Sequence, residues 1–329
     1  MKKILPVLFV CFILSQIINA QNTEIPGSPI AEIFTDFHYN INDTAKTTGF
    51  GINRAYLGYK FQAEGNFSST IIFNIGNPDD LAEGSLSRRY GFFREASITY
   101  SQNNLNLSFG IANTRIFRFQ QRFWGKRYVA SEYQSIYGYG TVADLGMVLD
   151  YKLNEKLAID FALMNGEGYS SIQLDNNLKT SFGLTITPVN QVSVRLYSDI
   201  MKANSVWQTT LIAFAGYKND IITFGAEASY KSNIDIIKGH HAWGLSATGS
   251  ISIARNTELF ARYDYSSSVL LDGETIQWNY LMDRSFAISG IQYTFNQYVK
   301  MALDYQGTFP HDPAGKDTGA IFINAHFKF

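Results

Sequence analysis

The 329-residue chain has almost no cysteine: Cys11 is the only one, and it lies inside the apolar run from Ile4 to Ile18. The charged start Met1-Lys2-Lys3, that run, and Ile18-Asn19-Ala20 after it read as an export signal, with cleavage expected after Ala20. Leu8-Phe9-Val10 are too large to precede a lipoprotein cysteine, and the run is short for a membrane anchor. Beyond residue 20 no thiol remains. A disulfide framework and a thiolate metal site are therefore excluded there. Long apolar runs are missing too: none after residue 20 could span a bilayer as a helix. A basic excess is also absent. Lys and Arg number 27 against 28 acids, and without Lys2 and Lys3 the balance is 25 against 28, a formal charge of −3. An exported, mildly acidic chain is a poor general partner for nucleic acid.

Catalytic signatures are lacking as well. There is no Gly-x-Ser-x-Gly, phosphate-binding glycine loop or dinucleotide fingerprint. The histidines are His38, His240, His241, His311 and His326, and only the His240-His241 pair is adjacent, in a loop without clear ligand partners. Neither an enzyme nor a cofactor nor a metal site is expected.

Aromatic residues, in contrast, are plentiful: 25 Phe and 20 Tyr, with only 7 Pro, and hydrophobic residues reach 46%. Mean hydropathy is nevertheless −0.09. Such a composition suits a sheet with one apolar and one polar face. Alternation with period two runs through the chain. In 157–163, Leu157, Ile159, Phe161 and Leu163 alternate with Ala158, Asp160 and Ala162. The pattern predicts about sixteen strands, at 31–41, 50–64, 67–76, 91–101, 104–112, 141–151, 155–165, 178–187, 191–200, 206–217, 220–230, 242–254, 257–266, 284–295, 298–306 and 319–329. Short turns (Gly65-Asn66, Gln102-Asn103, Asn154, Pro188-Asn190, Asn219, Asn256, Asn296-Gln297) alternate with long connections at 42–49, 77–90, 113–140, 166–177, 201–205, 231–241, 267–283 and 307–318. Short periplasmic turns on one rim and long external loops on the other are the plan of an all-β transmembrane antiparallel barrel. Residues 21–329 are expected to form that barrel as one domain in the outer membrane. A soluble exported sandwich would alternate too, but these strands are long enough to cross a bilayer when tilted, and aromatic residues gather towards their ends.

The longest connection, 113–140, contains TRIFRFQQRFWGKR. Arg115, Arg118, Arg122, Lys126 and Arg127 are interleaved with Ile116, Phe117, Phe119, Phe123 and Trp124, without an acid. Steps of three, four and four place Arg115, Arg118, Arg122 and Lys126 on one face of a helix. Folded into the barrel, such a loop would pack its aromatic residues on the wall and turn its cations to the water path, where charged groups select ions of opposite sign. Left outside, the same cations would bridge lipopolysaccharide phosphates. Arg54, Lys60, Lys179, Arg195 and Arg262 have inward parity, as do Asp144, Asp160, Asp199, Glu227 and Asp264, so the lumen is mixed in sign. Arg94 falls on the outward parity.

The stretches GYGTVADLGMVLDYKL (138–153) and LAIDFALMNGEGYSS (157–171) resemble the phosphate-selective porin O and P family, especially its Bacteroidetes-type versions. The matching motifs are Asp144-Leu145-Gly146 and Asn165-Gly166-Glu167-Gly168-Tyr169. The resemblance implies a sixteen-stranded porin, often a homotrimer, passing small anions such as phosphate through an arginine- and lysine-lined constriction. The expected function is passive diffusion of small hydrophilic solutes with anion preference. The alternative is a non-transporting surface barrel whose external loops bind a partner or stabilise the envelope.

Overall fold

The structure, a computed structural model, describes residues 26–42, 48–76, 91–173 and 176–329. The expected signal segment 1–20 and connection 77–90 lie outside the described residues. Sixteen strands close into one antiparallel barrel, in which each pairs with its sequence neighbours and β1 (Gly27–Asn40) pairs with β16 (Thr318–Lys328). Between them run β2 (Gly49–Gln62), β3 (Phe67–Gly76), β4 (Gly91–Gln102), β5 (Leu105–Asn113), β6 (Ala143–Asn154), β7 (Leu157–Met164) and β8 (Lys179–Val189). The second half comprises β9 (Val192–Ala203), β10 (Val206–Lys218), β11 (Ile222–Ser232), β12 (Ala242–Ala254), β13 (Thr257–Ser268), β14 (Arg284–Thr294) and β15 (Val299–Pro310). Closure leaves no unpaired edge, which is what a sheet needs in lipid.

The burial pattern is inverted relative to a soluble protein. Leu57 and Phe109 are 64% and 67% exposed, whereas Asp264 and Thr210 are fully buried. Most apolar side chains of the strands face outward and most polar ones face the lumen, and the packed core, with Phe34, Ile212, Phe260 and Ile288 from the wall, lies inside the barrel. The expected inward residues Asp144, Asp160, Asp199, Arg195 and Arg262 are all buried there.

Two expectations are corrected. The connection 201–205 is not a long loop. Asn204 and Ser205 alone join β9 to β10, both at positive φ (47° and 65°), as a tight two-residue hairpin requires. Arg94 is not outward. Ile72 pairs with Glu95 but Phe73 pairs with Phe93, so Arg94 is the extra residue of a bulge. A bulge re-aims side chains. Phe73 and Phe93 stay together on the outside, with rings 4.5 Å apart, and Arg94 turns into the lumen above the Tyr56 ring.

Candidate functional site: the lumen beside the inward loop

The connection between β5 and β6 enters the barrel. Its helix α1 (Arg118–Trp124) stops at Gly125, which takes φ 63° and donates its N–H to Gln121 O. A second turn, α2 (Tyr133–Ile136), follows. Helix α1 has Arg118 and Arg122 four residues apart and no acid in its first turn. Like charges at that spacing cost roughly 0.2–0.5 kcal/mol, so the helix relies on packing. Phe119 and Phe123 supply it, meeting the Phe214 ring of β10 at 5.8 and 5.0 Å. The expected split of aromatic residues to the wall is observed for this pair.

Two apolar clusters hold the loop. Trp124, Tyr128 and Val129 pack with Phe34, Tyr56, Phe260 and Ile288. Ile116, Phe117, Tyr133, Tyr137 and Tyr139 pack with Tyr197 and Ile212. Tyr133 sits over Gly244, where an added Cβ would clash with its hydroxyl. Polar anchors complete the attachment. Lys126 Nζ donates to Glu258 at 2.9 Å, Tyr128 Oη to Gln292 at 2.8 Å and Gln134 Nε2 to Glu227 at 2.6 Å. From the wall, Arg262 donates to Ser131 O at 2.5 Å, Arg195 to Arg115 O at 2.9 Å and Lys231 to Gly138 O at 3.0 Å. These six polar wall partners belong to β9–β14.

The loop's attachment leaves a cavity of about 300 Å³ on the other side, towards β1–β4. Four cations line it, Arg118 and Arg127 of the loop, Arg94 of β4 and Lys328 of β16, against two carboxylates, Glu32 and Glu95. Both carboxylates are engaged by the wall. Glu32 accepts from His326 Nε2 at 2.7 Å, and Glu95 accepts from Asn113 Nδ2 at 2.7 Å with Arg94 Nη1 3.5 Å away. Arg118 is exposed and makes no ion pair or side-chain hydrogen bond among the described residues. Arg127 reaches only Glu132, at 3.5 Å, and its Nε and Nη2 are buried without a hydrogen-bond partner. That edge faces the Glu132 carboxylate, so the charge of Arg127 is partly balanced within the loop.

The five cations of the sequence motif are thus divided. Arg118 and Arg127 line the cavity. Arg115 is spent on Asp150, with Nε and Nη2 at 2.7 and 2.6 Å from its two oxygens. Burial opposes its charge, but Asp150 outweighs it and raises the pKa. Lys126 is spent on Glu258. Arg122 is exposed, with its guanidinium 5.0 Å from the Phe119 ring, and does not line this cavity. Among the wall cations, Arg195 and Arg262 are bound bidentately by Asp160 and Asp264 and serve the loop. Lys179 lines a much smaller cavity with Asp144 and Asp199. Arg54 and Lys60 follow Tyr56 on the inward parity of β2.

Glu32, Glu95, Asn113, Gln121 and Lys328 escaped the sequence reading as cavity residues. For Glu32 and Lys328 the inward parity of the end strands was available as a signal; for Glu95 it was hidden beside the bulge.

The two motifs near the loop's base now have a physical role. Asp144 accepts from its neighbour's Leu145 N–H at 2.8 Å and from Gly166 N–H at 2.7 Å. Gly166 and Gly168 hold φ of 111° and 88°, and a Cβ on Gly168 would strike Thr141. The carboxylate ties the connection after β7 to the foot of the inward loop. Asp144→Ala leaves two N–H groups unmatched and should cost about 1–3 kcal/mol. A lower unfolding temperature on semi-native gels checks this, and an unchanged one would contradict the tie. His240 and His241 serve a related purpose. His240 stacks on Trp278 at 4.2 Å, and Trp278 Nε1 donates to His241 O, joining two long-rim loops.

No family profile and no curated protein sequence matches the chain. Solved structures do. Salmonella typhi OmpF, in a complex with daunomycin, superposes with a TM-score of 0.67 over 92% of this chain and 97% of its own at 12% identity. The fold is that of the outer-membrane porins. An anion-selective porin from Comamonas acidovorans matches with a TM-score of 0.64 at 10% identity, over 92% of this chain and 99% of its own. The outer-membrane channel DcaP of Acinetobacter baumannii matches at 0.62 and 14% identity, over 92% and 97%. At these identities the likeness is one of fold. The narrower likeness to the phosphate-selective porins stays with the motifs quoted above.

Proposed function

We propose that this protein is an outer-membrane porin through which small hydrophilic solutes diffuse passively, with anions preferred. The long-loop rim then faces outward and the short turns face the periplasm. The observation that carries the preference is the cavity beside the inward loop, where four cations meet two carboxylates already bound by the wall. An anion passing there meets Arg94, Arg118, Arg127 and Lys328, of which Arg94 and Arg127 are each shared with one carboxylate and Arg118 has no ion pair among the described residues. Phosphate and related oxyanions suit the exposed planar guanidinium of Arg118 better than chloride does. The passage requires no bond to be made or broken, so the reading is of a channel without catalysis. A homotrimer and contact with lipopolysaccharide belong to the same proposal. The trimer is supported by the trimer form of Vibrio cholerae OmpT, a fold neighbour at TM-score 0.61, 12% identity and coverage of 92% of this chain and 99% of its own.

The test is the reversal potential of the purified barrel in a planar bilayer under a salt gradient, repeated with phosphate added to chloride. Anion preference with phosphate slowing the chloride current is the expected result. Cation preference, or none, would overturn it. The depth of the loop's packing, with Phe117 and Tyr133 almost wholly buried, favours one second reading: a barrel closed to solutes whose long loops serve the surface. Folded protein that conducts nothing would establish that reading instead.

A further inference from the structure

The outer wall has a dent on the side away from the charged cavity. Along β10, β11 and β12 the outward positions carry Ala213, Ala215, Ala226, Ala228 and Ala247, which lie side by side across the strands. Large side chains bound this patch. Tyr217 and Phe224 pair at its lower end, and Leu211, Tyr230 and Trp243 lie abreast at its upper end. The upper part forms a groove of about 680 Å³, walled by Leu196, Leu211 and Leu245. That volume lies within the ~300–1,000 Å³ typical of small-ligand sites. From Leu211 to Tyr217 the outward face runs about 20 Å at the rise of an extended strand, more than one leaflet of a ~30 Å hydrocarbon core.

Four residues above Leu211 on the same face stands Trp207, and across from it on β9 stands Lys202. Lys202 is exposed, with Nζ 5.0 Å from the Trp207 ring. Strand rise puts this pair roughly 13 Å beyond the groove's top, at the long-loop rim. A cation beside an indole is the arrangement that receives a headgroup phosphate where hydrocarbon meets water.

We propose that this groove holds an acyl chain of a phosphate-bearing lipid of the outer leaflet, with Lys202 meeting the phosphate. The proposal rests on the outer-membrane reading above. The occupant follows from the make-up of the site: apolar walls along its length and, at its outer end, the Lys202 cation beside the Trp207 indole.

The full-length barrel in mild detergent can be titrated by native mass spectrometry with lipid A and, separately, with phosphatidylcholine. One lipid A per barrel should bind preferentially. Ala228→Trp should weaken it at least tenfold by filling the groove, and Lys202→Ala should weaken lipid A several-fold while leaving phosphatidylcholine unchanged. Both positions face outward, so conductance should not move. Ala228→Trp that binds lipid A as the parent does would overturn the proposal. So would a variant that loses self-association with lipid binding intact, since the groove would then be an interface between copies. A barrel that conducts nothing yet loses lipid A in Ala228→Trp would sink the porin reading and leave the groove standing.

Discussion

Replacing Arg94, Arg118 and Arg127 together with glutamine should turn an anion-preferring pore into a cation-preferring one. The cavity would then hold Lys328 against Glu32 and Glu95, one positive charge against two negative ones instead of four. The size follows from Coulomb's law. Two unit charges 8 Å apart interact by about 2 kcal/mol at an effective dielectric of 20, and physiological salt trims that to roughly 1 kcal/mol. Each neutralised arginine raises the barrier for an anion and lowers it for a cation. Three of them should shift the permeability ratio by on the order of tenfold or more. Reversal potentials in a salt gradient measure it directly. Two single changes sharpen the test. Arg122→Gln removes a cation outside the cavity and should change the ratio less than about twofold, given screening over a Debye length of ~8 Å. Arg94→Gln should change it clearly, because the bulge brings that side chain inside. An unaltered ratio in the triple variant would remove the cavity from the account of selectivity.

The contrast between Arg94 and Arg122 shows where sequence reading succeeds and where it stops. Strand β3 at 67–76 and β12 at 242–254 coincide with the expected spans to the residue. Period-two alternation and the asparagine-rich turns specify them locally, so one chain suffices. Parity then places Asp160, Arg195, Arg262 and Asp264 inside, because a strand without a bulge preserves it. A bulge is one extra residue set by the neighbouring strand, and alternation within β4 alone carries no trace of it. The hairpin at Asn204 and Ser205 was hidden for a different reason: its flanking residues 201–203 continue β9, and Lys202 at the rim reads like loop. The basic motif was legible as a helix-compatible stretch in the longest connection, with its place inside or outside the barrel left open. Its division into spent and available cations was not, because Asp150 and Glu258 lie 35 and 132 residues from Arg115 and Lys126. Charge is written in the sequence, while cancellation of charge is a property of the closed barrel.

The same dependence on distant partners makes Asp264 the most sensitive point of the loop's attachment. Its two oxygens take Arg262 Nε and Nη2 at 2.9 and 2.7 Å, and Ser246 Oγ donates to it at 2.6 Å. Held in this way, Arg262 turns its remaining Nη1 to Ser131 O in the loop, under the Trp124 ring. Both charged side chains are almost wholly buried, at 1% and 0% exposure. Removing one partner of such a pair strands the other charge and costs roughly 3–5 kcal/mol. The barrel's sixteen paired strands do not depend on this contact, whereas the loop does. Asp264→Ala should therefore let the loop leave the wall rather than unfold the barrel. Water can then reach Arg262, and the space taken by Trp124, Tyr128 and Tyr133 opens. Single-channel conductance should rise several-fold, and trypsin should cut the folded protein after Lys126 or Arg127, which the attached loop shields. Asp264→Asn, which keeps one oxygen acceptor, should fall between the parent and the alanine variant. If Asp264→Ala keeps the parent's conductance and resists trypsin, the apolar clusters alone hold the loop, and the buried ion pair has no part in setting the width of the pore.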